Sequence, residues 1–159
     1  MAVRTILEDP HPLLHAVCEV VETFDDTLDE LVTDLRDTLE ASGAIGLSAP
    51  QIGSSLRVLA VHVPDDGRGA QIYVNPEIEV KRGFAIIEES CLSLPGVAGN
   101  VVRSAQIQLR YKDTQGQPVE AEIDGLHAIC VQHEIDHLNG KLFTERLSWW
   151  KRRRLRRAA

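Results

Sequence analysis

Residues 130–141 read CVQHEIDHLNGK. His133 and His137 are four apart, and Glu134 directly follows the first of them. On a helix, positions i and i+4 stand one turn apart on the same face, so the two imidazoles can aim at one point. A pair of neutral imidazoles suits Zn, Fe or Ni. Glu134 falls on the flank of that face, where it can reach a water on the ion without displacing it. This is the geometry of an H-E-x-x-H pair with glutamate as general base. The same spacing also arises on an ordinary half-buried amphipathic helix, so the metal reading needs a third ligand.

A catalytic ion typically has three protein ligands and one open position. Downstream, Glu145 stands eight residues past His137, with no metzincin-like arrangement of Gly and His between them. Upstream, EESCLSLPG (88–96) sets Cys91 beside two carboxylates and Pro/Gly turn residues. A thiolate is the softer and better ligand of the two. The chain has three cysteines, Cys18, Cys91 and Cys130. That odd number does not suggest a disulfide framework, and each can equally be a small buried hydrophobe.

Several elements must position these residues. Leu126, Ile129, Cys130, His133 and His137 repeat at helical period, which predicts a helix from 126 to about 142. Leu28, Leu31, Val32, Leu35 and Leu39 predict an amphipathic helix over 26–41. SGAIGLSAPQIGS (42–54) reads as a loop rich in small residues. Strands are expected at 56–63, 70–80, 105–113 and 117–125, with the DTQG turn making the last two a hairpin. A strand carrying Ile87 should lead to Cys91, and a short helix or ordered tail should begin near Thr144. The expected fold is α+β: mostly antiparallel strands packed around a central helix carrying HEIDH, with an N-terminal amphipathic helix.

A chain of 159 residues with 43% apolar and 26% charged residues fits one domain, 1–150, followed by a basic tail, 151–159. The tail segment KRRRLRR holds six of the 17 basic residues, so the body sets 11 of them against 24 acidic ones. An acidic body repels nucleic acid, which excludes specific DNA binding, while the tail can contact phosphate. No apolar run reaches membrane-spanning length and the N-terminus carries no secretory pattern, so a cytoplasmic location without membrane attachment is expected.

Three segments together resemble the peptide deformylase family. AIGLSAPQ (44–51) is similar to its G-φ-G-L-x-A-P-Q motif, ESCLS (89–93) to E-G-C-L-S, and QHEIDHLNG (132–140) to Q-H-E-x-D-H-L-x-G. The resemblance implies Cys91, His133 and His137 as ligands of one divalent ion, Fe(II) in the cell, with Zn, Ni or Co able to occupy the purified protein. It implies hydrolysis of the N-formyl group of N-formylmethionyl peptides, with release of formate and Glu134 as general base and then acid. It also implies Gln51 and the backbone N–H of Leu92 as oxyanion donors. Ile45, Gly46, Ile87, Leu126, Ile129 and Cys130 are expected to form the slot for the methionine side chain, Gly46 giving the substrate backbone a close approach. Glu89, Asp136 and Arg103 are the charges available to orient the ligands. A Glu89–Arg103 ion pair is expected, under the site or on the surface.

The chain departs from the family pattern. Ser90 stands where Gly is usual, a strained choice if φ is positive there and a harmless one if φ is negative. Ala44 replaces another Gly, and Ser48 an Ala. Val97 and Ala98 occupy a segment that often carries an aromatic residue and an Arg, which implies a weaker grip on longer peptides. The tail can touch ribosomal RNA or simply complement a helix C-terminus. Two rival readings exist: a metallopeptidase, which commonly completes its site with His or Glu rather than Cys, and an inactive paralogue that binds formylated peptides.

Overall fold

The structure is a computed structural model that describes residues 2–147. Helix α1 (Asp26–Ser42) begins where the Asp25 side chain accepts from Leu28 N–H at 3.1 Å, and ends at Gly43 in the left-handed region. Asp26 and Asp29 in its first turn suit the positive end of the helix dipole. Leu28, Val32, Leu35 and Leu39 form its buried stripe.

The strands are β1 (Gly46–Ser48), β2 (Val58–Val61), β3 (Gln71–Arg82), β4 (Ala85–Cys91), β5 (Leu94–Arg103), β6 (Gln106–Lys112) and β7 (Pro118–Asp124). Five of them form an antiparallel sheet in the order β1-β2-β3-β6-β7, while β4 and β5 pair only with each other. The sheet lies between two helices. Val58 and Ala60 of β2 pack with α1, whereas Leu59 and Val61 pack with helix α2 (Gly125–Leu138). That two-sided burial explains the uninterrupted apolar run of β2.

Helix α2 is buried continuously from His127 to Leu138, as a central helix must be. It stops at Leu138 rather than near 142. Asn139 leaves the helix, Gly140 takes φ +73°, and Lys141 N–H closes back on the Asp136 carbonyl at 2.8 Å. A Cβ at 140 would stand 2.7 Å from the His15 backbone, so Gly is also the residue that fits. A 3-10 turn, Phe143–Arg146, follows.

Two further differences from the expected elements bear on the site. Gly46–Ser48, read as loop, is a short edge strand, followed by a 3-10 turn at Ala49–Ile52. Residues 94–103 form a full strand, although their Pro, Gly and Asn content argues against one; pairing with β4 supplies what propensity lacks. The basic tail at 151–159 and the domain boundary at 150 lie outside the described residues. Among the described residues no helix is long and apolar enough to cross a membrane.

Candidate metal centre

Two elements bring the candidate ligands together. Cys91 ends β4, while His133 and His137 lie one turn apart on α2. The Cys91 Sγ is 3.4 Å from His137 Nε2, and the two Nε2 atoms are 3.1 Å apart. One ligand atom from each residue falls within a 4.8 Å group. One sulfur and two imidazole nitrogens converging this closely fit a single divalent ion of the Zn or Fe type. Glu145, the downstream alternative, instead accepts from Leu142 N–H at 2.9 Å and closes its own turn.

The ligands are oriented from behind. His133 Nδ1 is 2.7 Å from Glu89 Oε1. A carboxylate only accepts, so Nδ1 carries a proton and Nε2 is the nitrogen left to bind an ion. Glu89 is gripped by Arg103 through two bonds of 2.8 Å, and Arg103 also donates to Asp136 at 2.6 Å. Arg146 completes the row by binding both oxygens of Asp136, at 2.5 and 2.8 Å. The Glu89–Arg103 pair is therefore buried under the site rather than on the surface.

The electrostatics call for positive charge at the centre. Burial raises Glu89, but the Arg103 guanidinium and His133 outweigh it and hold the carboxyl down at about 2. Burial opposes a charge on His133, yet hydrogen bonds to Cys91 and Glu89 push it up to about 10. Burial and the neighbouring His133 charge push His137 down to about 3. One proton held among these rings does part of what a cation would do. Glu134 is pushed up to about 7 by burial, against the pull of His133 and the Ser48 hydroxyl. Its Oε2 and His137 Nδ1 are buried polar atoms that lack a hydrogen-bond partner among the described residues. An unpartnered carboxylate oxygen beside a cavity is one that a ligand can satisfy.

Gln51, in the turn after β1, is buried and places Nε2 3.7 Å from Cys91 Sγ and 3.1 Å from Ser93 Oγ. Leu92 follows Cys91 in chain order and is partly exposed at the cavity wall. A cavity of about 980 Å³ opens onto His133 and Glu134. Ile45, Gly46, Ile87, Leu126, Ile129 and Cys130 all line it.

The family model for polypeptide deformylase matches residues 3–153. The chain belongs to the polypeptide deformylase family. A peptide deformylase of Chromobacterium violaceum is 40% identical over 156 residues, 98% of this chain and 93% of its own length. A protein of Brucella melitensis biotype 1 named peptide deformylase-like is 46% identical, over 98% of this chain and 94% of its own. The crystal structure of a peptide deformylase from Legionella pneumophila superposes with TM-score 0.91 at 44% identity, covering 98% of this chain and 92% of that one. The chain is thus an enzyme with the α+β fold expected from its helix and strand patterns.

Its departures from the family pattern can now be located. Ser90 lies in β4 opposite Ala98 and does not have positive φ, so it is unstrained. Both residues line the cavity. A Cβ at Gly46 would stand 2.8 Å from Glu134 Oε1, so this glycine makes room for the carboxylate. That adds a constraint to the substrate approach expected of it. Four residues around the candidate site make contacts that no sequence pattern assigned to them. Ser93 sits inside the ESCLS motif and was there to be found. Phe143, stacked on the His133 ring with centroids 6.1 Å apart, and Arg146 carry no local signal. Ser48 stands where Ala is usual in the family, and its N–H and hydroxyl both reach Gln51 Oε1 at 3.0 Å.

Proposed function

We propose that Cys91, His133 and His137 hold one divalent ion and that the chain uses it to hydrolyse the N-formyl group of formylmethionyl peptides, releasing formate. The observation that carries this reading is the convergence of one Sγ and two Nε2 atoms beside a buried, unpartnered Glu134 oxygen. Bound there, the ion would supply Lewis acidity, lowering the pKa of a water to about 7.

The chain's own residues do the remainder. Glu134 takes the water proton and later hands it to the departing amine, acting as base and then acid. Its own raised pKa, about 7, suits a group that must do both. Gln51 Nε2 and Leu92 N–H donate to the oxyanion that forms on the formyl oxygen. Glu89 holds the His133 tautomer, and the Arg103–Asp136–Arg146 row holds Glu89. The apolar residues Ile45, Ile87, Leu126 and Ile129 receive the unbranched methionine side chain, so formyl-Met peptides should be strongly preferred over formyl-Asp peptides. An upstream sulfur ligand disfavours the metallopeptidase alternative, and the presence of each required group disfavours an inactive paralogue.

Fe(II) is the ion proposed in the cell, with Zn, Ni or Co in purified protein. The substrates are newly made polypeptides in the cytoplasm. The six cations of KRRRLRR support a contact with ribosomal RNA; ribosome cosedimentation that survives deletion of 151–159 would count against it. Anaerobic purification with metal analysis, followed by formate release from formyl-Met-Ala-Ser, tests the reaction. Metal-loaded protein should release formate stoichiometrically, whereas a new internal peptide amine without formate would overturn the reading.

A further inference from the structure

The side-chain amide of Gln51 has one productive orientation. With Nε2 toward Cys91 Sγ, at 3.7 Å, it offers protons to the site. Turned by half a rotation it would offer the Oε1 lone pairs where an anion has to form. The two ends of an amide are nearly equal in size, so packing does not choose between them; hydrogen-bond partners do. Nε2 donates to Ser93 Oγ at 3.1 Å. Oε1 accepts from Ser48 N–H and from the Ser48 hydroxyl, both at 3.0 Å. Ser48 is 0% exposed and Gln51 2%, so solvent does not replace either donor. A residue of any type at 48 except Pro keeps the backbone donor. Only a hydroxyl side chain adds the second one.

We propose that Ser48 is a positioning residue that acts through Gln51, its hydroxyl locking the amide with Nε2 toward the oxyanion. The inference rests on Gln51 being an oxyanion donor, as read above. The Ser48 hydroxyl also neighbours Glu134, so the experiment must separate action through Gln51 from action through the carboxylate.

The test is a double-mutant cycle in metal-loaded protein, with formate release from formyl-Met-Ala-Ser as the assay. Ser48→Ala should lower kcat about five-fold, the worth of one hydrogen bond, with KM and metal content unchanged. In a Gln51→Ala background the same substitution should change nothing further. Independently of turnover, the Gln51 side-chain NH2 signal in 15N spectra, assigned by its loss in Gln51→Ala, should exchange its protons several-fold faster in Ser48→Ala. An unchanged kcat in Ser48→Ala, an unchanged NH2 exchange rate, or an equal loss in both backgrounds overturns the proposal. The last of these would assign the hydroxyl to Glu134. A Gln51→Ala enzyme as fast as the native chain removes Gln51 from the mechanism and the Ser48 proposal with it. Absence of formate from the native chain overturns the reaction itself.

Discussion

Glu134 is distinguished from the other acids of the site by what is missing around it. Glu89 is paired with Arg103 and Asp136 with two guanidinium groups, so both stay ionised. Among the described residues Glu134 has only His133 within ion-pair range, at 4.0 Å, and burial keeps its pKa near neutrality. Its carboxylate occupies space that only a glycine at 46 leaves open. Glu134→Gln preserves that shape and removes the base, so kcat should fall by about 10²–10⁴ while metal content by elemental analysis stays at one ion per chain. Near-native turnover would remove Glu134 from its role. Gly46→Ala attacks the same carboxylate from the other side and should likewise lower kcat without metal loss. At the cavity wall, position 98 of β5 is an uncharged Ala, in a segment where the family often carries an Arg. Ala98→Arg should therefore lower KM for formylated tripeptides and longer substrates and leave kcat alone; an unchanged KM would show that this position does not touch the peptide.

The elements meet through side chains rather than through a shared sheet. The β4–β5 hairpin carries Cys91, yet it makes no strand pairing with the five-stranded sheet. Among its ties to α2 are the Glu89–His133 bond, the Cys91–His137 contact and the Arg103–Asp136 bridge. A small cluster adds to them, in which Phe143 and Leu147 pack with Val101, Leu94, Val97 and Cys91. Arg103→Met would leave two buried carboxylates short of a partner. It should cost about 3–5 kcal/mol in a denaturant titration and weaken metal binding about 10–100-fold in a chelator competition. Intact affinity in a folded variant would refute the hairpin–helix coupling. This coupling also sets how much could be read from the chain. Both helices were legible, because Leu28 to Leu39 and Leu126 to His137 repeat at helical period. The candidate ligands were legible only through the three family-like segments taken together, since sulfur and imidazole also serve as ordinary buried side chains. Strand β5 was not, since Leu94-Pro-Gly-Val-Ala-Gly-Asn becomes extended only by pairing with β4. Arg146 was not, since its partner Asp136 is ten residues away across a helix end that the 3.6 period did not locate.

For the whole molecule, metal and pH act on the same central helix from opposite ends. At the C-terminal half, an ion held by Cys91, His133 and His137 would cross-link hairpin to helix in the native state alone. Stripping it with a chelator should lower Tm by roughly 10 °C, the scale of a ligand at about 1,000 times its Kd acting on a chain of this size. Adding back Zn should restore it. At the N-terminal end, His127 is buried between Tyr73 and Asp66, with Nε2 2.7 Å from the phenol and Nδ1 3.2 Å from the carboxylate. Burial and the Arg68 charge lower its pKa from 6.5, although Asp66 pulls the other way. The folded state thus holds His127 neutral, while the unfolded chain takes up a proton below 6.5. Between the two pKa values the unfolded chain binds more protons, so stability rises with pH there. The contribution is complete above 6.5 and drains away as pH falls toward the folded value. Carboxylates such as Asp34, held low by hydrogen bonds to Ala2 and Arg4 that outweigh burial, lose theirs only at lower pH. His133, raised to about 10, and Glu134, raised to about 7, act in the opposite sense over parts of the range from about pH 8 to about pH 5, so the His127 share is read as the difference in urea midpoint between the native chain and His127→Gln. The native chain's advantage should be largest at the alkaline end and shrink as pH falls. Parallel slopes for the two proteins would show that His127 does not titrate with unfolding.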